Sequence, residues 1–124
     1  MARQKKPLTW SQVAVANAGF RDGLRAIQFA MEWGFTSAFL GRDPETIDEY
    51  AEVAEVSRAK AFRDQQAFRK AFPDLDGPRD FIDRTSGQQQ FDEFMAAARE
   101  LGKARKNAAA FVFDLGAMPY SPAS

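Results

Sequence analysis

Val13, Ala16, Phe20, Leu24, Ile27, Met31 and Phe35 follow one another at steps of three or four residues. That is the period of an amphipathic helix, and it limits the fold of this chain more than any other feature. Trp10, Phe29, Trp33, Phe39 and Leu40 widen the apolar surface beyond one stripe, so other elements must cover this helix. Thr9 or Ser11 can cap its start. Gly19, Gly23 and Gly34 lower its intrinsic propensity, so packing has to hold it, and they let another backbone come close. The spacing predicts one long N-terminal helix ending before Gly41-Arg42-Asp43-Pro44. With 124 residues, 45% hydrophobic content and sixteen aromatics, the chain has material for one core and roughly five or six helices of mean length. The expected fold is all-α, a small helical bundle.

The chain contains neither cysteine nor histidine. That removes disulfides, thiol nucleophiles, Cys/His zinc sites, imidazole bases and Ser-His-Asp triads. Asp74, Asp76, Asp80 and Asp83 crowd one loop without the spacing or closing glutamate of a calcium loop. No glycine motif cradles phosphate. We expect no enzyme, no metal and no cofactor. Arg21, Asp22, Arg25 and Glu32 interrupt the apolar N-terminal region, which reads neither as a signal sequence nor as a membrane span. A cytoplasmic protein with no membrane partner is the expectation.

The remaining segments follow from their punctuation. Residues 1–8 read as a flexible basic arm, 9–117 as a single helical domain and 118–124 as a frayed tail. T-I-D-E at Thr46 is a capping box that starts a helix running to about Ala54. Ser57 caps a third helix, which Phe72-Pro73 ends. Residues 73–87 are rich in Pro, Gly and Asp and predict a loop with one helical turn around Arg79–Asp83. From about Gln88, Phe91, Phe94, Met95, Ala98 and Leu101 form the stripe of a further helix that Gly102 stops or interrupts. Residues 108–115 fit a helix, although Phe111-Val112-Phe113 also fits a short C-terminal strand.

The charge pattern of 46–72 is unusual for a chain of zero formal net charge. Thr46–Val56 holds four acids and no base; Ser57–Phe72 holds five bases and one acid. A short acidic helix, a tight turn and a basic helix are the plan of a helix-turn-helix at 46–72. Ala51 is small where the two helices must touch, Val56 can plug the turn, and Tyr50, Ala54 and Ala61 complete the apolar set.

The run TIDEYAEVAEVSRAKAFR resembles the helix-turn-helix of lactose-repressor-type bacterial regulators, and VSRAKAFRD also resembles the recognition helix of deoR-type regulators. The resemblance covers about 20 residues, Thr46 to Asp64. Glu55 stands where those families place glycine, a replacement costing on the order of 1 kcal/mol if the turn keeps its geometry. Asp64 departs from the lactose-repressor type but matches the deoR type.

The resemblance implies a sequence-specific DNA-binding protein, a small bacterial or phage regulator or a nucleoid or segregation factor. Helix 57–72 would enter the major groove of double-stranded DNA. Arg58, Ala59 and Arg63 would meet base edges, arginine suiting guanine and an alanine methyl suiting thymine. Thr46, Ser57, Lys60, Gln66 and Arg69 would hold phosphates, joined by Arg3, Lys5 and Lys6 of the arm. Phe62 would either join the core or form an exposed apolar contact. A homodimer would be needed for useful affinity. The alternative is a protein–protein adaptor in which the motif serves only packing.

Overall fold

The computed structural model describes residues 7–120, and side chains for 7–108. Among the described residues there are six helices and no strand: α1 (Trp10–Ala18), α2 (Phe20–Leu40), α3 (Ile47–Ala54), α4 (Arg58–Ala71), α5 (Pro78–Arg84) and α6 (Gly87–Tyr120). The all-α bundle is therefore the fold. α2 packs against each of the other five helices.

The first helix is two helices, which corrects the single one expected. Gly19 lies at φ 90° and ψ 171°, a conformation outside the helical region that side-chain-bearing residues rarely adopt. Its amide closes α1 on the Val15 carbonyl, and its carbonyl opens α2 by accepting from the Gly23 amide, each at 2.8 Å. The chain thus doubles back, and α1 lies on α2. Gly23 makes that possible: a Cβ there would stand 3.0 Å from the Val15 nitrogen and 3.1 Å from the Ala14 carbonyl carbon. The reversal also shifts the buried face. Ala26, Ile27, Phe29 and Ala30 are buried, whereas Phe20, Phe35 and Phe39 are exposed.

The core is a chain of touching aromatic rings that runs through five helices. Trp33 of α2 stacks on Tyr50 of α3 at 5.5 Å, and Phe29 meets the same ring edge-on at 5.0 Å. Phe29 also contacts Phe68 of α4, which leads to Phe72, then Phe81 of α5, then Trp10 of α1. Edge-to-face pairs of this kind add roughly 0.5–1.5 kcal/mol beyond the area they bury. Burial pushes the Tyr50 hydroxyl far above the usual tyrosine range, and Glu32, which accepts its hydrogen bond at 3.2 Å, pushes it further.

α6 completes the bundle from outside. Ala97 is fully buried, with Phe94 packed beside it. Glu93 reaches the start of α1 and accepts from the amides of Trp10 and Ser11 at 3.3 Å each, negative charge at the positive end of a helix. Phe91 and Met95, expected on the inner stripe, are exposed. The helix also runs straight through Gly102, and the backbone of 111–113 is helical rather than strand, since six helices offer no edge for a strand to pair with. Residues 118–120 continue the helix expected to have frayed, and 121–124 lie outside the described residues.

Two phenylalanines on α2 test this account of the core. Phe29 is 1% exposed and Phe35 is 70% exposed. Phe29→Ala is expected to lower the unfolding free energy by about 3–5 kcal/mol. Phe35→Ala is expected to change it by less than about 0.5 kcal/mol. Urea denaturation of both variants checks the pair.

Candidate nucleic-acid interface

Three residues, Glu55, Val56 and Ser57, separate α3 from α4. Glu55 takes the left-handed conformation, φ 59° and ψ 42°, that glycine would adopt freely. The Val56 amide donates to the Ala51 carbonyl at 3.0 Å and the Glu55 amide to that of Glu52 at 3.3 Å. This is the Schellman pattern, which satisfies the last carbonyls of α3 and reverses the chain. Val56 packs against the core and Ala51 is buried, as expected of residues that plug the turn and let the helices touch. The turn thus keeps its geometry and Glu55 carries the strain.

Both helices begin on hydroxyl caps. Thr46 Oγ1 accepts from the Glu49 amide and Ser57 Oγ from the Lys60 amide, each at 3.0 Å. Each hydroxyl keeps its hydrogen for another acceptor. The reciprocal half of the expected capping box is not formed. Glu49 takes the amide of Glu45 instead, at 2.8 Å, because both its oxygens are held by the Arg42 guanidinium at 2.8 and 2.6 Å. Arg42 holds the Glu49 carboxyl down at about 2. A second clasp lies beside it: Asp43 accepts from Ser37 and Arg79, and Arg79 above all holds its carboxyl below the usual range. The first clasp ties the segment before α3 to α3 itself, and the second ties it to the last turn of α2 and the first turn of α5.

α4 has two distinct faces. Ala61, Asp64, Ala67, Phe68 and Ala71 are buried, and Arg58, Ala59, Phe62, Arg63, Gln66, Arg69 and Lys70 are exposed. Five of the residues expected to meet DNA therefore share one surface: Arg58, Ala59, Arg63, Gln66 and Arg69. Lys60 does not join them freely. Its ammonium lies 2.5 Å from Oδ2 of the buried Asp64, so it is turned toward the bundle. Oδ1 of Asp64 has no hydrogen-bond partner among the described residues. Arg3, Lys5 and Lys6 lie outside the described residues.

Among the described residues a single ion pair joins the acidic helix to the basic one. Arg58 Nε lies 2.9 Å from Asp48 Oδ1, with both side chains mostly exposed. Arg63 and Arg69 have no carboxylate within ion-pair distance among the described residues. Phe62 resolves to the exposed side at 54%. The helical period carried that signal, since Phe62 lies one turn from both Arg58 and Gln66. Lys70 was not singled out in the sequence.

Elsewhere, an open groove of about 290 Å³ between α2 and α3 is lined by Glu32, Phe35, Thr36, Phe39, Val53 and Ala54. Among the described residues no group of acidic, histidine or cysteine side chains could hold a metal ion, and no helix is long and apolar enough to cross a membrane. Comparison with protein-family models, with curated proteins and with solved structures finds no match for this chain.

Two substitutions probe the site. Glu55→Gly relieves the left-handed strain and is expected to raise stability by about 0.5–1 kcal/mol, read by thermal unfolding. Asp48→Asn releases Arg58 and removes a negative charge from its side. Exposed pairs are worth at most about 1 kcal/mol, so if α4 is a DNA-binding surface, affinity for duplex DNA is expected to rise by roughly two- to fivefold at low salt, read by fluorescence anisotropy.

Proposed function

We propose that this chain is a DNA-binding protein that lays α4 in the major groove, with Arg58 and Arg63 reading bases and Ala59 beside them. The observation that carries this reading is the outer face of α4. It gathers three arginines, Gln66 and a small residue on the second helix of a three-residue turn, while the inner face is held by the core. Arginine presents two N–H groups to O6 and N7 of guanine together. Gln66 and Arg69 on that face, with Thr46 and Ser57 beside it, serve as phosphate contacts, and Lys60 joins them only by leaving Asp64. Zero net charge places the attraction in this local asymmetry rather than in the whole molecule.

One module of this size binds DNA weakly, with non-specific dissociation constants of about 10⁻⁴–10⁻⁶ M at physiological salt. We therefore propose a homodimer acting as a bacterial or phage regulator or nucleoid factor in the cytoplasm. α6 is the candidate contact. Leu101, Ala104, Ala108, Phe111 and Leu115 are spaced by alternating steps of three and four residues, the repeat of paired helices.

A second reading, a protein–protein adaptor, is favoured by Phe35 and Phe39 beside the α2–α3 groove and by the Asp48–Arg58 pair.

Anisotropy titrations on a mixed-sequence duplex across about 50–200 mM salt separate the two. For the DNA reading, affinity falls steeply with salt, and the Arg58→Ala/Arg63→Ala double variant binds at least about tenfold more weakly than wild type. Absence of binding up to roughly 100 µM protein in the lowest salt would sink the DNA reading and leave the adaptor.

A further inference from the structure

We infer that Phe62 is a specificity-determining residue that recognises the 5-methyl group of thymine; this rests on the DNA-binding reading of α4. Phe62 is the only large apolar side chain exposed on this helix, at 54%. Its position is central rather than marginal. The inner face runs through Ala61, Asp64, Ala67, Phe68 and Ala71, and at about 100° per residue Phe62 points nearly opposite the middle of that set. Arg58 and Gln66 lie one turn to either side of it, Ala59 is its neighbour three residues earlier, and Arg63 lies about 100° round the same outer face.

A helix seated by its arginines and Gln66 must therefore bring the Phe62 ring to the groove floor. The ring has no hydrogen-bonding atom, so it cannot read the donors and acceptors of the base edges. The apolar feature that a base pair shows in the major groove is the thymine methyl, and phenylalanine is among the side chains that contact it. Such contact would also remove from water an aromatic surface that the folded protein leaves wet. Phe62 would then demand A·T pairs between the positions read by Arg58 and Arg63, with Ala59 extending the same apolar contact.

The probe is the duplex that wild-type protein enriches from a randomised library, prepared once with thymine and once with deoxyuridine at every thymine position. Deoxyuridine keeps the pairing and deletes only the methyl. Wild type is expected to bind the thymine duplex about fourfold more tightly per methyl contacted. Phe62→Ala, a change at an exposed helical site, is expected to lose most of that preference, keeping only the share that Ala59 supplies, with its salt dependence unchanged. Phe62→Leu, which keeps an apolar side chain, should restore part of the preference.

Equal binding of the two duplexes by wild type overturns the inference, as does a preference that survives undiminished in Phe62→Ala. Either result leaves DNA binding itself standing and removes thymine recognition from the ring. If the library yields no enriched sequence and wild type binds neither duplex, the reading of α4 fails and this inference fails with it.

Discussion

Everything in this bundle depends on how α2 is covered. Its inner face carries Ile27 and Phe29 between small alanines, and Phe29 touches rings from both α3 and α4. Three helices are thereby fixed by one side chain. From there the aromatic contacts pass through Phe68 and Phe72 to Phe81 and Trp10, so α1 and α5 are positioned by the same connected set. The short α3 is a poor helix by itself, since eight residues fall well below what is marginally stable in isolation. It persists because Tyr50 is locked between Phe29 and Trp33, and because the Arg42–Glu49 and Asp43–Arg79 clasps secure its approach.

The rotation of α4 is set from inside. A buried carboxylate is a poor source of stability, since desolvation offsets most of what its partner returns. Among the described residues Asp64 has only the Lys60 ammonium, and one of its oxygens has no partner. What the pair does supply is orientation. With Asp64 facing inward and Lys60 bent back to meet it, Arg58, Phe62, Arg63 and Gln66 are turned outward together. The strained Glu55 acts at the other end, where the left-handed turn fixes the line along which α4 leaves α3.

Much of this was legible in the sequence, and the misses have physical causes. Helical character, the limits of α3 and α4, both hydroxyl caps and the small residue at the α3–α4 contact follow from local spacing and local hydrogen bonding. The break at Gly19 did not, because a glycine within a continuous apolar period gives the same pattern whether the helix runs on or folds back. Only the close approach of α1 to Gly23 decides it. Gly102 failed in the opposite direction: a stop or interruption of the helix was expected, and α6 continues through it. The exposed face of α4 was largely readable, since a 3.6-residue period places Arg58, Ala59, Arg63, Gln66 and Arg69 together. The engagement of Lys60 with Asp64 was not readable, because it depends on Asp64 being buried, a property of the whole bundle.

The separation of the two faces of α4 has a consequence for how such a chain can change over time. Packing, capping and orientation use Ser57, Ala61, Asp64, Ala67, Phe68 and Ala71. Positions 58, 59, 62, 63 and 66 contribute almost nothing to folding, so mutation can explore them without passing through unstable intermediates. On the proposed DNA-binding reading, a duplicated copy of this chain can therefore acquire a different preference within a few substitutions while keeping its body intact. The outer face of α4 behaves as a replaceable head on a fixed handle, which suits laboratory retargeting as much as natural divergence.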